Sequence, residues 1–177
     1  MATSTNTKSQ LSEKEVKKMN PVGKIPEESN QDSIAFLNLL LANEYALFTK
    51  TLNFHWNIVG PRFNSLHEFL ETQYRSLLDE MDDLAERVRV LGGRPMSTVK
   101  EFSQSNSIES GKEANLSADE MISELLRDHM IIQHQIKDAL DDDSLLKRDH
   151  GTEDFLVGVL KNHEMTSWKL KSLIETQ

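Results

Sequence analysis

The sequence predicts an all-α protein, a four-helix bundle with a short extra helix in the connection between the second and third long helices. Three observations carry this expectation. Apolar residues recur at steps of three and four over four long stretches, which is helical spacing. Gly and Pro are few, 7 and 4 in 177 residues, and most stand near the ends of those stretches. No stretch carries a strand signal.

Residues 1–30 are rich in Ser, Thr, Asn, Gln and Lys, are interrupted by Pro21, Gly23 and Pro26, and read as a mobile polar tail. The bundle is expected over residues 31–177 as one domain. Ser29 or Asp32 suits the N-cap of the first helix, whose stripe is Ile34, Leu37, Leu41, Tyr45, Phe48 and Leu52, and Gly60-Pro61 stops it. The second helix runs from about Phe63 to Leu91 on the stripe Leu66, Leu70, Gln73, Leu77, Met81, Leu84, Val88 and Leu91. Gly92-Gly93 supplies its C-cap and Pro95 bars its continuation. A polar connection from Met96 to Ala114 follows, with Thr98 to Phe102 as its short helix. Ser117-Ala-Asp-Glu120 is a capping box for the third helix, which carries Ile122, Leu125, Ile132, Ile136 and Leu140. After a loop around Asp141 to Gly151, Thr152 is placed to cap the fourth helix. Glu153 and Asp154 suit its first turn, and Phe155, Val159, Leu170 and Leu173 form its apolar side.

Composition excludes several classes of function. The chain has no cysteine, so disulfides, thiolate zinc sites, iron–sulfur clusters and a cysteine nucleophile are ruled out, and any metal must be held by His, Asp or Glu. The first residues lack the apolar run of a secretory signal. The most apolar stretch, Ile34 to Phe48, is broken by Asn38, Asn43 and Glu44 and falls short of the ~20 residues that span a bilayer. A cytoplasmic protein without a membrane partner is expected. The net charge of −9 opposes generic binding to nucleic acid, whose affinity comes largely from neutralised phosphates. Lys8, Lys14, Lys17, Lys18 and Lys24 outnumber four Glu in the first 30 residues, so any DNA contact falls to the tail, and a weak one is expected.

The second helix holds the sharpest clue. His67 and Glu71 are four apart, as are Asp82 and Glu86, so each pair projects from one face. At about 100° per residue, with Leu66 at zero, the core stripe centres near 20°, whereas the four polar residues fall at about 100°, 140°, 160° and 200°. They make a second stripe, away from the core. A solvated polar face is one reading of it. A face covered by another subunit is the other, and Tyr74, Leu78 and Ala85 in the same sector favour it. Glu71 and Asp82 stand about 16 Å apart along the axis, too far to share an ion within one helix. Two copies paired antiparallel about an axis near Ser76 and Leu77 would join the two halves into two equivalent sites. No Glu-x-x-His motif occurs, which argues against a ferritin di-iron site inside one bundle.

The run Leu52-Asn-Phe-His55-Trp56-Asn-Ile-Val-Gly60-Pro-Arg-Phe63-Asn-Ser-Leu-His67-Glu-Phe-Leu-Glu71, with Asp82-Asp-Leu-Ala-Glu86-Arg87 and Leu91-Gly-Gly93, closely resembles the Dps mini-ferritins, the DNA-binding proteins from starved cells. The resemblance extends over about residues 32–177. It implies a ferritin-like bundle assembled into a hollow cage of twelve subunits. Such a cage oxidises Fe(II) with hydrogen peroxide, or more slowly with oxygen, and stores the ferric product against oxidative stress. Carried over residue by residue, it implies that His55, His67 and Glu71 of one subunit hold iron together with Asp82 and Glu86 of its two-fold partner. Mixed imidazole and carboxylate ligands suit iron. Trp56 takes the family's role of shield or radical trap beside the site, or else anchors the dimer interface. The family commonly has Asp where Glu71 stands, so the longer carboxylate is expected to shift a metal or change its affinity. An architectural, nucleoid-compacting protein with vestigial metal chemistry is the alternative function.

Four further histidines remain. His129 lies on the apolar side of the third helix and is expected to be a hydrogen-bonded structural group, while His134, His150 and His163 read as surface or channel groups. The acids from Asp141 to Asp154 read as a solvated loop and helix start. In the family, acids before the last helix line the three-fold pores, which makes Asp149 and Asp154 the candidates for an iron-uptake pore.

Overall fold

The computed structural model describes residues 27–109, 116–146 and 149–174. Among them the chain forms six helices and no strand: α1 (Glu27–Asn57), α2 (Phe63–Val90), α3 (Val99–Ser105), α4 (Ala118–Asp141), α5 (Asp143–Leu146) and α6 (His150–Ile174). The four long helices make the expected bundle. Helix α1 packs along α2 and α4 along α6; α3 and α5 both lie on α1, whereas α2 meets α6 only lightly. The tail lysines Lys8, Lys14, Lys17, Lys18 and Lys24 fall outside the described residues.

The core runs the length of the bundle through Leu37, Leu40, Leu47, Leu66, Leu70, Leu84, Ile122, Ile132, Ile136 and Leu170, all buried. Each such side chain contributes about 1.5–3 kcal/mol relative to exposure. On α2 the apolar stripe is buried as expected, apart from the half-buried Met81. On α1 the buried sector is broader than expected. Leu40, Leu41, Ala42, Asn43 and Glu44 are buried in succession, and Tyr45, Phe48 and Leu52 lie on its flank. The reason is that α1 is covered on several sides, by α2, α3, α4 and α5. The helix also begins at Glu27, inside the segment assigned to the tail.

Buried Asn residues on α1 tie down the α2–α4 connection. Asn38 accepts from the Met96 N–H at 2.7 Å and donates to the Arg94 carbonyl, and Asn43 accepts from the Ser107 N–H at 2.7 Å. The polar residues that interrupt this apolar stretch thus serve as docking points on either side of α3.

Most helix ends follow from local chemistry. Gly92 takes φ 86°, and its N–H and that of Gly93 bond the Arg89 and Val88 carbonyls, a Schellman ending for α2. Capping boxes Thr98/Glu101 and Ser117/Glu120 start α3 and α4. The fourth long helix differs from expectation. It begins at His150, and the cap is Asp149, which accepts from the Thr152 N–H at 3.1 Å and binds the Arg87 guanidinium at 2.7 Å. Thr152 sits inside the first turn, buried, with its hydroxyl turned to Asp149 and Arg87. Arg87 passes against Gly151, where an added Cβ would lie 2.9 Å from a guanidinium nitrogen.

Candidate metal centre

His55 stands in the last turn of α1 and His67 in the second turn of α2. The reversal between them depends on Gly60, whose φ of 106° is open to glycine and strained for other residues, and on the Phe63 N–H bonding the Gly60 carbonyl at 3.0 Å. The turn stacks the two imidazoles face to face, with centroids 3.8 Å apart and planes 21° from parallel. Each ring's Nδ1 lies 3.0 Å from the other residue's backbone carbonyl. A carbonyl only accepts, so both Nδ1 atoms donate, which in the neutral ring leaves Nε2 with the lone pair. Tyr74 and Phe63 flank the stack with centroids at 5.2 and 4.9 Å. The orientation of both rings is thereby fixed by the backbone itself.

Glu71 follows His67 by one turn and is half-exposed. Arg75, one turn further on, donates to Glu71 Oε1 at 2.6 Å, and that hydrogen bond holds the carboxyl below its ordinary range and so ionised. Arg75 also lies 5.7 Å from the centre of the Tyr74 ring. Asp82 and Glu86 are exposed further down the same helix, so a single chain does not bring them to His55, His67 and Glu71. Apolar side chains lie bare around this face: Trp56 is 69% exposed, Val59 76% and Leu78 53%.

Asp149 and Asp154 do not act alike. Asp149 is occupied by Arg87 and the α6 cap, so it has a structural task beside its charge. Asp154 is exposed and lines a cleft of about 370 Å³ between α2 and α6, together with Asp79, Glu80 and Asp83.

Among the described residues, a second constellation lies inside the bundle. Glu44, Glu80 and His163 offer ligand atoms within 4.8 Å of one another, and all three are buried. His163 Nε2 is 2.7 Å from Glu44 Oε1 and 3.5 Å from Glu80 Oε1, and its Nδ1 is 2.8 Å from Nδ1 of His129. Burial presses the His163 pKa down, but the Glu44 charge and hydrogen bond, with help from Glu80, hold it up at about 10. Burial and the neighbouring His163 push His129 well below 6.5, so it stays neutral and accepts the His163 Nδ1–H. Burial raises Glu80. His163 is therefore a core residue and not a surface or channel group. His129 is hydrogen-bonded, with His163 as its partner, while His134 and His150 are exposed beside Asp138 and Glu153. The sequence did hold a signal for this group. Glu44 is three residues from both Leu41 and Leu47, and His163 is four from Val159, so both occupy core positions of their helices.

The helical bundle is that of the ferritin class, and the ferritin-like domain family matches residues 34–177. A low temperature-induced protein of Nostoc sp. is 38% identical over 86% of each chain. DNA protection during starvation protein 2 of Bacillus anthracis is 31% identical over 82% of this chain and 98% of its own. The crystal structure of Dps from Staphylococcus aureus superposes with a TM-score of 0.78 at 31% identity, covering 84% of this chain and 99% of that one. The chain belongs to the Dps family. Membership assigns it to iron storage and stress protection. No helix among the described residues is long and apolar enough to cross a membrane.

Proposed function

We propose that this protein is a ferroxidase that oxidises Fe(II) with hydrogen peroxide, or more slowly with oxygen, at sites shared between two-fold-related subunits. The ferric product is stored inside a cytoplasmic cage of twelve subunits. The observation that carries this reading is the His55/His67 clasp, which presents two Nε2 lone pairs beside the ionised Glu71. The remaining carboxylates stand on the same helix, too far along it to close the site alone. Two-fold pairing supplies Asp82 of the partner subunit and Glu86 of the partner subunit, and covers Trp56 and Leu78.

Two Fe(II) ions, the substrate, each give one electron to a peroxide, which takes up two protons and leaves as two waters. Delivering both electrons at one place avoids release of a hydroxyl radical. The imidazoles and carboxylates hold the ions near each other, and Trp56 beside His55 shields the site or traps a stray radical. Glu71 releases or shares Arg75 when it takes a metal. The test is anaerobic loading with Fe(II) followed by peroxide, read by ferric absorbance and a radical trap. The expected result is rapid oxidation of two Fe(II) per peroxide without trapped hydroxyl radical. Oxidation no faster than in protein-free buffer would refute the reading.

Iron uptake is assigned to the acidic start of α6, with Asp154 as the charge that steers cations and Asp149 placed beside it by its bond to Arg87. Asp154→Asn is expected to slow uptake severalfold at low ionic strength, where steering is strongest, and to leave assembly intact. An unchanged uptake rate there would remove Asp154 from the route.

DNA binding is expected to be weak. Repulsion from the folded part leaves only the tail, where Lys8, Lys14, Lys17, Lys18 and Lys24 are largely cancelled by Glu. Many tails on one cage add avidity at low salt. Gel retardation at low salt is expected to vanish on deleting residues 1–24, and complexes that persist at ~200 mM salt would contradict this.

A further inference from the structure

Each of the four long helices contributes a buried titratable residue to one linked group inside the bundle: Glu44 on α1, Glu80 on α2, His129 on α4 and His163 on α6. The interface chemistry uses none of them. Glu44, Glu80 and His163 form the one group of three or more close ligands among the described residues. Two of its oxygens, Glu44 Oε2 and Glu80 Oε1, are fully buried and accept no hydrogen bond. A buried polar atom without a hydrogen bond is costly; Glu80 Oε1 has only the long 3.5 Å approach of His163 Nε2 and Glu44 Oε2 has none, so the two carboxylates are under-satisfied and can take a further positive centre. Once ionised, two carboxylates beside one imidazole leave a double negative charge, which a divalent cation balances.

The surroundings fit such an ion. His163 turns Nε2 toward both carboxylates, and the neutral His129 accepts from its Nδ1, which fixes the ring as a metal-ligating histidine is fixed by its outer partner. Ligand atoms within 4.8 Å need only a small carboxylate rotation to reach the ~2.0–2.2 Å metal distances of mixed N/O sites. Buried Glu80 shares the lining of a cleft with the exposed acids Asp79, Asp83 and Asp154, so cations are drawn to the side of the bundle on which this ligand lies. Glu-x-x-His spacing, which the sequence lacks, is not needed when the histidine comes from α6.

We propose that Glu44, Glu80 and His163 form a second metal site, inside each subunit, that binds one divalent first-row transition ion through two carboxylates and an imidazole. The ion takes the place of the Nε2 proton that now bonds Glu44, and that proton leaves to solvent. The site is distinct from the interface site and does not depend on that reading.

Co(II) under anaerobic conditions is the probe, with bound ions per chain counted by equilibrium dialysis and visible absorption on the assembled protein. Glu44→Gln/Glu80→Gln keeps side-chain size and is expected to lose one ion per chain, or to bind it at least tenfold more weakly. His55→Ala/His67→Ala is expected to retain that ion, and Co(II) should raise its melting temperature, because the site joins three helices. An unaltered count in the Gln variant, or no Co(II)-dependent rise in melting temperature in the His variant, would overturn the proposal. Should the double Gln variant fail to assemble, Glu44→Gln and Glu80→Gln singly, with the His variant's melting shift, decide the matter by the same criteria.

Discussion

His67→Ala and Asp82→Ala, each made singly, are expected to reduce fast peroxide-driven Fe(II) oxidation by about 100-fold or more, a loss at least as large as that caused by removing a supporting residue of a metal site. Each substitution removes one ligand from both sites of a two-fold dimer. The two variants should then complement each other. In a mixed dimer one site lacks both ligands, while the other has His67 from one chain and Asp82 of the partner subunit, and is whole. Equal mixing makes half the dimers hybrid with half their sites intact, so about a quarter of normal activity returns. His67→Ala mixed with His55→Ala should recover nothing by this pairing, since those two residues clasp within one chain. Stopped-flow ferric absorbance on refolded mixtures reads the result. Failure to recover activity in demonstrably hybrid particles would argue against the shared site.

Lys50→Met is expected to cause the largest loss of stability. The Lys50 ammonium is buried, 2.5 Å from Asp128 Oδ2 and 3.9 Å from a Glu124 oxygen. Removing one partner of a buried pair costs about 3–5 kcal/mol, because it leaves the other charge uncompensated. Replacing both, as Lys50→Met/Asp128→Leu, should recover most of that loss. The pH dependence has a definite sign. Burial raises the Asp128 carboxyl above its ordinary 3.8 against the opposing pull of Lys50, and loss of Lys50 raises it further. A group whose folded pKa is raised contributes stability below its unfolded value and loses it as pH rises through the folded one. The deficit of Lys50→Met should therefore be full at pH 7 and shrink as pH falls toward 4. Urea unfolding across that range tests it, and a deficit independent of pH would exclude Asp128 as its source.

Much of the fold is legible from local signals. The Schellman glycine, the two capping boxes and the α2 stripe each depend on residues close in sequence, so periodicity and turn chemistry are enough to find them. The first and last helices are less so. Their buried surfaces are set by several neighbours, and a one-face stripe misplaces Tyr45 and Leu52 on α1 and makes His163 look peripheral. Thr152 and Asp149 are both good caps. The choice between them is made by Arg87, 62 residues away from Asp149 in the chain. His55 and His67 stand out as candidates from a long, specific motif, but their mutual clasp through Nδ1 and backbone carbonyls needs the turn geometry. The interior group escaped because its members come from four helices with no spacing in common. The available trace was a polar residue at a core position on each of them.

Whether iron is held between two chains is read from anomalous diffraction by crystals of the assembled protein soaked anaerobically with Fe(II). The predicted result is a peak within bonding distance of Nε2 of His55 or His67 and of a carboxylate oxygen of Asp82 or Glu86 of the partner subunit. A peak at these histidines whose protein ligands all come from one chain, or no peak there at all, would contradict it.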